Sequence, residues 1–217
     1  TDFEEAKDKI LMGPERRSMV MSEDEKKLTA YHEAGHAIVG FYLPDSDPIH
    51  KATIIPRGRA LGMVVRLPES DRVSVSLKRI EADLAVAMGG RVAEELIFGS
   101  ERVTTGASSD IQAATNWARN MVTKWGLSPA LGPVSYGDTN QQEVYLGHNM
   151  GSSQTLSEAT TQLIDKEVRR VIDEGHRTAT RILTEHLESL HQLAKALIEY
   201  ETLTGDEIGD LLKDKTW

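Results

Sequence analysis

The sequence predicts a mainly α-helical fold with a small β-sheet or hairpin, and three observations predict it. Apolar residues recur at helical spacing over long stretches, as in Leu28, Tyr31, Gly35 and Ile38, or Ile80, Leu84, Ala87, Met88, Val92 and Leu96. Only one pair of short runs in the first half, Ala52–Ile55 and Leu61–Val65, reads as strand, with Arg57-Gly58-Arg59 as the turn of a hairpin. No internal repeat or low-complexity segment points to another architecture.

The elements follow in order. Asp2 to Met12 reads as a short charged helix ended by Gly13-Pro14. Ser22-Glu23-Asp24-Glu25 has the S-x-x-E form of a capping box, which starts a helix that Pro44 stops. After the hairpin, Ser74 or Ser76 caps a helix that runs to Gly99. Gly89-Gly90 in its middle costs about 1 kcal/mol per residue relative to Ala, so either another backbone packs closely there or the helix kinks. A helix from Asp110 to Lys124 is expected to take Ser108 or Ser109 as its cap and Gly126 as its stop. Residues 127–153 read as loop, with short strands conceivable at Val134–Tyr136 and Glu143–Leu146. From Leu156 to Tyr200 the helical spacing exceeds an ordinary helix, so it is one long helix or two that meet near Gly175 or Glu185. Thr204-Gly205-Asp206-Glu207 opens a last short helix.

Composition narrows the function. A chain of 217 residues with a net charge of −9 has no basic field to attract phosphates, which argues against nucleic acid as a partner. With no cysteine, disulfides and thiolate metal sites are excluded, and any metal must use His, Asp or Glu. No apolar run approaches the roughly 20 residues needed to span a bilayer. The chain starts at Thr1 and enters at once on helix-like sequence, so it is expected to be a soluble piece of a longer protein.

One stretch carries chemistry. Tyr31-His32-Glu33-Ala34-Gly35-His36 contains H-E-x-x-H in mid-helix. Residues four apart share a helix face, so His32 and His36 can offer two imidazole nitrogens to one ion. Glu33 is rotated roughly 100° from His32, where it can miss the metal yet reach a metal-bound water. Zinc lowers the pKa of such a water to about 7, and a carboxylate can then take its proton. A catalytic zinc takes three protein ligands. The extended motif with a third histidine is excluded, because its glycine and histidine positions hold Val39 and Tyr42. His50, His148, His176, His186 and His191 read as solvated or packing residues. The residues alone leave Glu94, Glu95 and Asp110 open as the third ligand.

The His32–Ala37 motif, Gly89-Gly90-Arg91-Val92-Ala93-Glu94-Glu95 and Thr105-Gly106-Ala107-Ser108-Ser109-Asp110 together resemble the peptidase domain of the FtsH family, the membrane-anchored ATP-dependent zinc proteases. The resemblance continues through Ala118–Val122 and Trp125-Gly126 and covers the chain from about residue 15 to Thr204. It implies a helical zinc-peptidase fold with a small β portion near the active site. It also implies one Zn2+ held by His32, His36 and Asp110, with Glu33 as general base. Glu94 then supports the site or packs between helices. Residues 1–14 resemble the end of an ATPase lid helix and 15–217 the peptidase domain.

The same resemblance implies polypeptide substrates (unfolded, misassembled or regulatory proteins) and assembly as a homo-hexamer. It places the full-length protein at the inner membrane, or its organellar equivalent, with this domain on the cytoplasmic side. This sequence has no G-x-x-x-x-G-K-[ST], so ATP would be bound only by a module outside it, and membrane contact would come only through other segments. Two other readings are a zinc aminopeptidase with Glu94 as third ligand and a helical adaptor with a vestigial motif.

Overall fold

The computed structural model describes residues 2–16, 20–58, 60–68, 73–137 and 156–213. Helix α1 spans Asp2–Met12 and ends at Gly13, whose φ of 79° turns the chain as the Gly-Pro pair predicts. Helix α2 (Glu23–Tyr42) starts from a complete capping box: Glu25 N donates to the Ser22 hydroxyl, and the Glu25 carboxylate accepts from Ser22 N. Its stretch from Thr29 to Gly40 is buried almost throughout, with Ala30, Ala34, Ala37, Ile38 and Val39 fully so. A helix stretch buried on nearly every face belongs in the centre of a domain, and this part of α2 sits there, against α3 (Leu77–Phe98) on one side and α6 (Leu187–Tyr200) on another.

Helix α3 is capped by Ser76 and runs without interruption through Gly89-Gly90. Close packing, not a kink, explains the glycines. A Cβ on Gly89 would lie 2.7 Å from the Gly35 carbonyl oxygen, so the two helix backbones touch where both lack side chains. Leu96, counted in the apolar stripe, is 40% exposed, because the helix face has rotated toward solvent by its last turn.

The C-terminal half is the two-helix alternative. Helix α5 (Glu158–Glu185) passes through Gly175 unbroken, and the chain breaks at His186, beside Glu185. Helix α4 (Ser108–Thr123) and α3 pack on α5, and α7 (Gly205–Lys213) closes the order. Buried Leu84, Val92, Leu183, Leu190 and Leu197 belong to the core that joins them.

Strands β1 (Ile49–Thr53), β2 (Met63–Arg66) and β3 (Thr202–Thr204) form an antiparallel sheet in the order β2-β1-β3. The hairpin forms, but both strands are shifted from the expected bounds. Ile54 N instead donates to Glu201 O, and the Arg57–Ala60 bridge closes the turn. The third strand was not expected. It is three residues long, too short to show alternation, and follows Glu201, whose φ of 63° reverses the chain after α6. Val134–Tyr136 is irregular and not a strand, while Glu143–Leu146 lies outside the described residues, as does most of the expected 127–153 loop. No described helix is long and apolar enough to cross a membrane.

Candidate metal centre

Mid-helix placement on α2 puts the His32 and His36 rings one turn apart with their Nε2 atoms 3.1 Å from each other. The opposite nitrogens are both held. His36 Nδ1 lies 2.7 Å from the Val86 carbonyl oxygen, which can only accept, so Nδ1 carries the proton and Nε2 presents its lone pair. His32 Nδ1 donates to Glu94 Oε1 at 2.7 Å. Glu94 is wholly buried, and its second oxygen accepts from Thr104 N at 2.8 Å and the Thr104 hydroxyl at 3.1 Å. Burial works against its charge, but these bonds hold its carboxyl below the ordinary range, so it stays an acceptor.

Asp110 arrives from the other side. Thr104 accepts from Gly106 N and starts the short 3-10 turn Thr105–Ala107, which feeds straight into α4. The expected Ser108 or Ser109 cap does not form. Ala107 is the N-cap without a side-chain bond, and the Ser108 hydroxyl donates to Thr105 O, because the preceding turn already directs the chain into the helix. Asp110 in the first turn then places Oδ2 3.3 Å from His32 Nε2 and 3.5 Å from His36 Nε2.

Two lone-pair nitrogens and a carboxylate at such distances repel unless a positive charge lies among them. A proton is one solution. Burial disfavours a charged His32, yet the hydrogen bonds of Asp110 and Glu94 and the charges of Glu33 and Asp110 push it up to about 10. Asp110 is held well below the usual carboxylate range, since the two imidazoles outweigh its burial. A metal is the other solution. Donors of a tetrahedral zinc with bonds of about 2.0–2.1 Å lie roughly 3.3 Å apart, and the three separations of 3.1, 3.3 and 3.5 Å bracket that value. Among the described residues His32, His36 and Asp110 thus form a group able to hold one ion.

Space is made by glycines. A Cβ on Gly90 would lie 2.5 Å from His32 Nε2 and 2.6 Å from His36 Nε2, so only glycine lets α3 pass beneath both rings. Gly62, just before β2, would place a Cβ 2.7 Å from Glu33 Cγ. Glu33 is buried, and burial raises its pKa against the pull of His36 and His32. The cavity of about 770 Å³ over these groups is lined by Ala60–Val64 on one side and by Ala113, Ala114 and Trp117 on another.

Of the other sequence candidates, Glu94 sits on the far side of the His32 ring from the cluster, which removes it as the third ligand. Glu95 pairs with Arg91 and His176. His186 stacks on Tyr42, and His191 Nδ1 bonds the Tyr31 hydroxyl at 2.8 Å. His148 lies outside the described residues. Sequence reasoning missed Gly90 and Thr104 as parts of the site; the unusual Gly89-Gly90 pair inside a helix was the available signal for the first.

The sequence model of peptidase family M41 matches residues 19–211. The chain belongs to peptidase family M41. It is 62% identical over 212 residues to the ATP-dependent zinc metalloprotease FtsH of Caulobacter vibrioides, covering 98% of this chain and 34% of that protein. The corresponding protein of Rickettsia bellii is 61% identical over 214 residues, 99% of this chain and 33% of the relative. This chain therefore spans about a third of the length of the curated relatives it matches. The expected fold, family and zinc cofactor agree with family membership and with the His-His-Asp group that could hold the ion.

Proposed function

We propose that the chain is a zinc endopeptidase domain in which His32, His36 and Asp110 hold one Zn2+ and Glu33 is the general base. The convergence of His32 Nε2, His36 Nε2 and Asp110 Oδ2 within 3.5 Å of one another carries this reading. Bound zinc would polarise a peptide carbonyl and bring the pKa of water toward about 7. The chain's own residues do the rest. Val86 O and Glu94 fix the rings so that both Nε2 lone pairs face one point. Glu33, its pKa raised by burial, takes the proton of the attacking water and returns it to the amide nitrogen as the C–N bond breaks.

Substrate recognition rests on backbone pairing. Strand β2 is at the edge of the sheet, and Gly62, Met63 and Val64 border the cavity, so an extended peptide can add alongside it. Such pairing uses groups that every peptide has, which suits unfolded, misassembled and regulatory polypeptides alike. The named activity of the relatives and their greater length support placing this domain in an ATP-dependent protease, and the family resemblance adds a membrane anchor. In that reading residues 1–14 end an ATPase lid, 15–217 form the peptidase, and ATP and membrane contacts lie in other segments. The family resemblance supports a homo-hexamer at the inner membrane or its organellar equivalent, with the domain on the cytoplasmic side.

Glu33→Gln and His36→Ala separate the roles. Glu33→Gln should keep zinc and lose at least ~10²-fold in peptide turnover, and His36→Ala should lose the metal. Unchanged turnover in Glu33→Gln would refute the assigned base.

A further inference from the structure

A second cluster of metal-ligating side chains lies away from the cavity, where α1 meets β1. Glu4 and Asp8 are four residues apart on α1 and therefore share a face. His50 comes from β1. One ligand atom from each of Glu4, Asp8 and His50 lies within 4.8 Å of the others. Exposed carboxylates gather in this way without consequence, but two of these donors are not exposed. Asp8 Oδ1 and His50 Nε2 are both buried and find no hydrogen-bond partner among the described residues. Orphaned buried polar atoms are rare in folded proteins, and each needs a compensating contact. Lys51 does not supply it, since its Nζ bonds the other oxygen, Asp8 Oδ2, at 2.5 Å.

We propose that Glu4, Asp8 and His50 form a second divalent-cation site that takes a zinc-class transition ion. An imidazole and two carboxylates suit Zn2+, Mn2+ or Co2+, and the exposed side of Glu4 leaves room for water to complete the shell. Asp8 divides its oxygens between the Lys51 ammonium and the ion, so the carboxylate lies between the two positive charges. The ion would act as a clip. It adds to the ties that already hold the N-terminal segment on the hairpin: buried Met12, and Arg57 donating to Gly13 O and the Glu15 carboxylate. The clipped strand, β1, pairs directly with β2, the strand beside the candidate active site. The site thereby fixes the segment that enters the domain to the strand pair that borders the cavity.

The test is a zinc titration of metal-stripped protein, read by atomic emission and calorimetry. Wild type should take up two ions per chain. Glu4→Gln and His50→Gln should each bind one and keep peptide turnover, and His36→Ala should also bind one. With zinc ~100-fold above the dissociation constant of the second site, hydrogen exchange that requires α1 to leave β1 should slow by ~100-fold. Glu4 is exposed, so its substitution leaves the fold intact even if that of His50 does not. A single ion in saturated wild type that His36→Ala removes and Glu4→Gln keeps, a second ion that persists in Glu4→Gln, or exchange unchanged by zinc would each overturn the proposal.

Discussion

Glu94 shows how much of the centre depends on a residue that does not face the cavity. It is buried and charged, and it is satisfied by three donors, one of them the Nδ1–H of His32. Losing its charge removes the acceptor that fixes the ring's tautomer, so Glu94→Gln should weaken zinc binding by about 10–100-fold while far-UV circular dichroism stays native. Competition with a chromophoric chelator measures this, and unchanged affinity would count against the orienting role. In sequence the pair at 94–95 stands only as two of three open candidates for the third ligand. Which of the two faced a ring depends on the crossing of α2 and α3, and no spacing within one helix encodes that. The shared face of His32 and His36 was legible because it lies within a single helix, whereas placing Asp110 beside them needed the family resemblance.

The same residues set a pH dependence. In the metal-free protein His32 is raised to about 10, so its ring holds a proton at neutral pH. Zinc needs that lone pair, so the ion bound at His32 should displace about one proton, and its apparent affinity should rise with pH up to that value. Calorimetry in two buffers of different ionisation heat reads the proton directly, and no release would contradict the protonated cluster. The linkage has a definite sign in the metal-free form. A raised His32 contributes stability that is full below about 6.5 and lost as pH rises through its folded value. The depressed Asp110 contributes above about 3.9 and is lost as pH falls further.

At the scale of elements, the contact of α2 with α3 decides the geometry. Gly35 faces the Gly89 carbonyl, and a Cβ on Gly89 would press within 2.7 Å of Gly35 O. Gly35→Ala should therefore cost at least ~1–3 kcal/mol in denaturant unfolding and lower zinc affinity together, since the rings sit on the same helix. Loss of neither would mean that the helices can separate freely. Helix starts at Ser22 and Ser76 were readable because a hydroxyl three residues before a backbone N–H is a local signal. The start of α4 was misread because a 3-10 turn, not a hydroxyl, leads into it. Strand β3 was missed because its partner, β1, lies about 150 residues earlier, and such pairing leaves no mark on three residues.

At the scale of the whole molecule, the sheet and the helical body meet at the cavity. Helix α2 supplies two imidazoles and a carboxylate, α4 brings Asp110, and β2, an edge strand of the sheet, borders the same cavity. The mainly helical class was plain from periodicity, and the small sheet was half visible from its hairpin. The assembly of the cavity was not, because it depends on three elements far apart in sequence. The measurement that bears most directly on the central claim is anomalous scattering at the zinc edge from crystals of the zinc-loaded protein. The account predicts an ion bonded to His32 Nε2, His36 Nε2 and an Asp110 carboxylate oxygen; no ion between the two rings, or one there with Asp110 outside its coordination shell, would contradict it.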